Sequence, residues 1–183
     1  MILERLKLAL KIALALTALS SVGAIVGLMY IQKDLPKIES VEDYHPILAT
    51  KIYSDDGHLV ARYARERRTL MPIEVVPEHV IHSFLAAEDR NFFQHEGLDY
   101  LGILRAAIKN LRPGAHLQGA STITQQTVKT LILGPERSYS RKMKEAVLSR
   151  QLEQLLTKRE ILYLYLNQIY FGTGAWGIEE AAQ

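Results

Sequence analysis

The sequence predicts a mainly α-helical protein, with one apolar N-terminal helix, a short β-hairpin region and then a helical domain. Three observations carry that prediction. An uncharged run, IALALTALSSVGAIVGLMYI, extends from Ile12 to Ile31. The turn dipeptide Asp56-Gly57 is flanked by strand-forming residues. From Pro77 onward, apolar residues recur at helical spacing behind successive cap residues.

The uncharged run has the length of a membrane span. At about 1.5 Å per residue it covers roughly 30 Å, the thickness of a bilayer core. Arg5, Lys7 and Lys11 precede it with only Glu4 opposing, whereas a mixed-sign stretch from Lys33 to Asp43 follows. The positive-inside bias therefore predicts a cytoplasmic tail over residues 1–11, a transmembrane helix over 12–31 and the remainder outside. A cleaved signal peptide is the rival, but cleavage at Ala13, Ala15 or Ala18 would leave a long apolar stretch behind it.

Residues 32–76 form a linker and hairpin region. A polar connector with Pro36 and Pro46 leads to TKIYSDDGHLVARYA, read as two strands about Asp56-Gly57. The RERR stretch, Arg65 to Arg68, reads as a solvated face.

The helical domain occupies 77–183. Pro77 is placed as the first residue of a helix whose core face is Val80, Phe84 and Ala87, ending near Glu88. Asp99 caps a second helix with Leu101, Leu104 and Ile108 on one face, stopped by Pro113-Gly114. Thr122 and Gln125 have capping-box spacing and open a third helix carrying Ile123, Thr127 and Leu131. Ser140 caps a fourth with Met143, Val147, Leu148 and Leu152, and a fifth runs from about Arg159 to Phe171.

Composition narrows the chemistry. The chain has 183 residues, 48% of them hydrophobic, enough for one modest domain with a core. Lys plus Arg is 22 against 20 for Asp plus Glu, a balance without the basic excess of a nucleic-acid-binding surface. The absence of cysteine excludes thiolate metal sites, cysteine nucleophiles and disulfides.

Two features can carry chemistry. Glu88-Asp89 falls where a helix ends, followed by Phe92-Phe93, His95 and Gly97. Helix dipole and desolvation beside aromatics would both raise a carboxylate's pKa there, as a general base requires; the alternative is a surface pair in a loop. Between Arg137 and Arg159 lie Arg141, Lys142, Lys144, Arg150 and Lys158, against Glu145 and Glu153. Cations on the first turns of a helix suit a phosphate or pyrophosphate; the alternative is a solvated face, or one turned to anionic lipid heads. Gly172, Gly174 and Gly177 fit G-x-G-x-x-G, but the preceding LYLYLNQIYF is helical in pattern and no βαβ unit surrounds it. His95-Glu96 opens like a zincin motif, but position 99 is Asp.

Four blocks in order carry a family resemblance: AAEDRNFFQHEG (Ala86 to Gly97), GASTITQQ (Gly119 to Gln126), RKMKE (Arg141 to Glu145) and KREILYLYLNQIYFGTGAWG (Lys158 to Gly177). They resemble successive signature blocks of the glycosyltransferase domain of class A penicillin-binding proteins. The hairpin region and RERR resemble the 1A type. The resemblance implies a lysozyme-like, all-helical glycosyltransferase domain, here incomplete at its C-terminus, shared with monofunctional glycosyltransferases. The penicillin-target motifs are absent: no serine begins S-x-x-K, and Lys129-Thr130 is followed by Leu131.

The resemblance also implies roles. Glu88 matches the catalytic base that deprotonates the 4-hydroxyl of the acceptor sugar on lipid II. That oxygen displaces undecaprenyl pyrophosphate with inversion to a β-1,4 link. Asp89 matches a supporting acid. Glu145 matches a second glutamate near the pyrophosphate, polarising it or helping to hold a divalent cation, magnesium or manganese; no organic cofactor is implied. Gln126, Lys129, Arg137, Arg141 and Lys142 match residues that bind phosphates and sugars, and Ser121 and Thr122 shape the same cleft. Asn167 and Gly172 look like structural positions. Implied partners are lipid II and undecaprenyl-pyrophosphoryl glycan, the bacterial inner membrane, moenomycin-type inhibitors and other cell-wall synthesis proteins, with no nucleic acid. Two rivals remain. A lysozyme-like glycan hydrolase would need no pyrophosphate site, and the basic third block argues against it. A non-catalytic anchored fragment that binds lipid II or a scaffold partner is the other.

Overall fold

The computed structural model describes residues 2–33, 46, 48–64, 66–112, 114, 118–134 and 138–183. They fall into two compact units, Met1–Pro36 and Lys37–Gln183. The first unit contains one helix, α1 (Ile2–Lys33), which carries the whole uncharged run. Leu10, Ile12, Leu14, Leu16, Leu19 and Val22 are exposed on it. Two of its hydroxyls are satisfied within the helix: Thr17 Oγ1 donates to the Leu14 carbonyl and Ser21 Oγ to that of Thr17, both at 2.8 Å. Among the described residues no helix is long and apolar enough to cross a membrane; side chains 24–26, 28, 30 and 31 of the run lie outside them.

The second unit begins with the expected hairpin. Strands β1 (Thr50–Tyr53) and β2 (Leu59–Tyr63) pair antiparallel, Thr50 opposite Tyr63, with a bulge at Ile52/Tyr53. The RERR expectation is corrected at its end. Arg67–Arg68 is a strand, β3, and Arg68 is only 3% exposed. Its guanidinium lies 5.3 Å from the Trp176 ring centroid and 3.0 Å from Glu66 Oε2, so a planar cation is paired and stacked rather than solvated. Arg65 is outside the described residues.

Helix α2 (Glu78–Glu88) follows a 3₁₀ turn at Ile73–Val75. Pro77 is its N-cap rather than its first residue, and its buried residues are Ile81 and Leu85. The expected Val80–Phe84–Ala87 face is thus rotated, with Ala87 exposed. Helix α3 (Tyr100–Asn110) is capped as expected, Asp99 Oδ1 accepting from the Gly102 N–H at 2.8 Å. That bond and one from Asn91 hold the Asp99 carboxyl below its usual range. The expected apolar face of α3 is not a core face: Leu101, Leu104 and Ile108 are exposed, and Ala106 is the residue buried.

Helix α4 (Ile123–Val128) opens with the Thr122–Gln125 capping box and passes into a π-helical turn at Lys129–Leu133. Helix α5 (Tyr139–Leu155) is capped by Ser138, two residues before the expected Ser140, because the Ser138 hydroxyl accepts from the Arg141 N–H at 3.0 Å. Helix α6 (Lys158–Gln168) starts at a second capping box, Thr157–Glu160. It stops before the expected Phe171 because Tyr170–Gly172 forms strand β4.

Strand β5 (Ala175–Trp176) sits between β4, antiparallel, and β3, parallel, in a small sheet that the sequence did not signal. A last helix, α7 (Ile178–Ala182), is fastened to the hairpin. Its Glu180 carboxylate is paired with Arg62 of β2 and accepts from Thr69 Oγ1 at 2.6 Å.

The core lies where α4, α5 and α6 meet. Phe92, Ile123, Val128, Leu148, Leu152, Ile161, Leu162 and Leu166 are almost wholly enclosed. Each such side chain contributes about 1.5–3 kcal/mol relative to exposure. Asn167, fully buried on α6, replaces a strand partner for the chain at Met71. Its Oδ1 accepts from the Met71 N–H at 2.8 Å, and its Nδ2 donates to the Met71 carbonyl at 3.0 Å and the Tyr163 carbonyl at 2.9 Å. Asn167→Ala would orphan the Met71 amide, and is expected to lower stability by about 2–3 kcal/mol in urea unfolding; an unchanged midpoint would refute the role.

Candidate active site

The candidate site is built on the first turn of α4. Glu88, the last residue of α2, is exposed, and its Oε2 accepts from Gln126 Nε2 at 2.8 Å. Ser121, just before the α4 cap, accepts from Lys142 Nζ at 2.9 Å. Lys142 also stands 2.8 Å from Glu145 Oε2. Arg141 Nη1 lies 2.7 Å from Glu145 Oε1, an ion pair by distance whose angles fall outside hydrogen-bond geometry. Glu145 itself is 2% exposed, so its charge is taken out of water and held by two cations. A carboxylate and a basic cluster are thus joined to one helical turn, through Gln126 on one side and Ser121 on the other.

An open, mostly polar cleft of about 640 Å³ runs along this turn. Glu88, Ser121, Thr122 and Gln126 line it, together with Arg90, Asn91 and Arg105. Those last three were not singled out from the sequence. Arg90 directly follows the Glu88-Asp89 pair, which was a usable signal; Arg105, on α3, had none.

Two residues at the floor of this cleft are buried and bonded inward. Asp89, the C-cap of α2, is buried. His95 Nε2 lies 3.0 Å from both its oxygens, which places the ring proton on Nε2, and Oδ2 also accepts from the Ile123 N–H at 3.0 Å. Thr122 Oγ1 donates to the Gly97 carbonyl at 2.6 Å. Gly97 has φ +89°, and a Cβ there would stand 2.7 Å from the Ser149 carbonyl oxygen, so only glycine lets this loop lie against α5.

The expected desolvation of Glu88 by aromatics is corrected. Phe92 is turned into the core, against Phe93 at 5.2 Å and His95 at 6.2 Å, with Lys158 Nζ 4.4 Å from its ring centroid. Phe92 therefore backs the Asp89–His95 pair. Lys158 binds this loop to the helices, donating to the His95 carbonyl and to Glu153, both at 2.7 Å; Glu153 also accepts from Thr124 at 2.6 Å.

Lys129 is exposed on the π-helical turn, and no hydrogen bond or ion pair joins it to the other site residues among those described. Arg137 lies outside the described residues. A metal at Glu145 is not supported by the donor set. Both its oxygens face cations, and among the described residues no three His, Asp or Glu side chains gather; a divalent cation would meet like charge there. One further buried group stands near the carboxylates. Burial pushes the Tyr165 phenol well above its ordinary value, and the charges of Glu88 and then Asp89 push it further.

Asp89→Asn places an amide N–H against at least one existing donor, His95 or Ile123. It is expected to lower stability by about 1–3 kcal/mol in chemical unfolding; wild-type stability would show that the carboxylate ties nothing.

Comparison with known proteins identifies the family. Residues 56–183 match the Transglycosylase family model. Penicillin-binding protein 1A of Rickettsia felis is 49% identical over 157 residues, covering 84% of this chain and 20% of its own length. Penicillin-binding protein 1A of Aquifex aeolicus is 47% identical over 162 residues, covering 88% and 22%. The Escherichia coli protein of that name is 46% identical over 162 residues, covering 88% and 19%. The chain spans about a fifth of the length of these curated relatives. With the family match extending over most of its length, the chain belongs to the Transglycosylase family.

Proposed function

We propose that the chain is a peptidoglycan glycosyltransferase that polymerises lipid II, with inversion at the anomeric carbon and release of undecaprenyl pyrophosphate. The observation that carries this reading is the joining of Glu88 and the Arg141–Lys142–Glu145 cluster to one turn of α4. Glu88 takes the proton of the acceptor 4-hydroxyl, whose oxygen attacks the anomeric carbon. The glycosyl–phosphate bond breaks as the new C–O bond forms, and the electron pair leaves on the pyrophosphate. Arg141 and Lys142 stabilise that developing charge, as fixed cations do in a site built before the reaction begins. Glu145 keeps their ammonium and guanidinium groups in place, and Gln126 holds Glu88 at the cleft before substrate enters. The same cluster favours this reading over a glycan hydrolase, which has no charged leaving group to hold.

The reading includes a membrane anchor at 12–31 with the α2–α7 region outside. The uncharged run, its place on a 32-residue helix and the internally satisfied hydroxyls of Thr17 and Ser21 support it. A topology reporter fused after Gln183 is expected to be active only outside the cytoplasm; cytoplasmic activity would refute the orientation.

Glu88→Gln is expected to reduce lipid II polymerisation by about 10²-fold or more, with the fold intact, since the amide cannot accept the proton. Polymerisation near the parent rate would exclude Glu88 as the base. Moenomycin-type phosphoglycolipids are expected to bind, more weakly after Lys142→Ala and at high salt. Affinity that survives removal of both Arg141 and Lys142 in a titration would show that the basic cluster serves another purpose.

A further inference from the structure

Tyr165 is a buried titratable group that the reaction as derived does not use. It is 3% exposed on α6, and among the described residues its hydroxyl has no hydrogen-bond partner. Its ring packs edge-to-face on Phe84 of α2, centroids 6.1 Å apart. Phe84 and Glu88 are one turn apart on the same face of α2. The ring therefore packs on α2 one turn before Glu88, and the charges of Glu88 and Asp89 both act on the phenol.

A buried hydroxyl without a protein partner costs stability, so its retention calls for an explanation. The two neighbouring carboxylates are not equivalent. Both oxygens of Asp89 are engaged, by His95 and by the Ile123 N–H. On Glu88 only Oε2 is engaged, by a neutral amide at the cleft surface. The phenol's own proton is secure, because burial and two adjacent negative charges all oppose its loss. It can donate a hydrogen bond at neutral pH but cannot surrender the proton.

We propose that Tyr165 is a positioning residue for Glu88, its phenol donating to the carboxylate when substrate draws Glu88 away from Gln126. This rests on the reading of Glu88 as the base. Catalytic hydrogen bonds are commonly loose in the free enzyme and tighten with substrate bound. The donated bond fixes one carboxylate oxygen, leaves the other to take the acceptor proton, and favours the charged form that a base must have. No proton leaves the tyrosine.

Tyr165→Phe separates this role from packing. It keeps the ring and removes an unsatisfied hydroxyl, so the melting temperature is expected to stay the same or rise. Polymerisation of lipid II is expected to fall about tenfold at neutral pH, with the acid limb of the pH–rate profile displaced to higher pH. An unchanged rate and profile would overturn the proposal, as would a rate that falls only in step with a lower melting temperature. Glu88→Gln measured alongside distinguishes the two levels. An inactive Glu88→Gln with a wild-type Tyr165→Phe sinks the tyrosine alone, whereas an active Glu88→Gln sinks the base assignment and the tyrosine with it. A readout free of turnover is the ¹³Cζ resonance that vanishes in Tyr165→Phe. It is expected to shift when Glu88→Ala removes the neighbouring carboxylate, and an unmoved resonance would overturn the proposal.

Discussion

The buried carboxylate of Asp89 is the constraint on which the rest of the site depends. It closes α2, accepts from His95 and accepts from the first amide of α4. An isolated buried charge would cost several kcal/mol, but here an imidazole N–H and a helix N-terminus both meet it. Because Asp89 is locked inward, its neighbour Glu88 is thrown outward onto the cleft. The same bond fills the anion-binding end of α4 from inside the protein. An anion in the cleft would then have to be met by side chains, and Lys142 is bonded to Ser121 just before that turn.

The first turn of α4 distributes contacts in different directions within a few residues. Ser121 reaches the basic cluster, Thr122 holds the Gly97 loop, Thr124 meets Glu153, and Gln126 meets Glu88. The turn is rigid because its capping box satisfies its end amides and because α5 and α6 pack around Ile123 and Val128. The polar groups at the cleft are therefore held by a hydrophobic core directly beneath them.

What was legible in the sequence was local. Asp99 and Thr122 act on residues three positions ahead, so their caps could be read from spacing alone. The Thr157–Glu160 box was equally readable, yet the helix start was placed one residue late. What was not legible depends on distant parts of the chain. Arg68 is buried because Trp176 lies beside it, and no pattern within RERR records that. Strands of two residues leave no alternation to detect. The apolar periodicity of α3 was real but did not decide burial, because the core is supplied by α4, α5 and α6. Glu88 falls at a helix end, as spacing predicts, whereas its exposure follows from the inward turn of Asp89, which spacing does not fix.

The pairing of β3 with β5 has a consequence for how the molecule comes into being. Arg68 and Trp176 are strand neighbours although nearly the whole helical domain separates them along the chain. Such a contact must await loop closure over that entire length, so it forms late. During synthesis the residues of α2 to α6 are made before their closing strand. Until β5 arrives, Arg68 has no aromatic face to lie on, and the sheet edge it belongs to is open to other chains. The clasp can therefore close only after the residues of α2 to α6 have been made, and the order of translation alone imposes that delay.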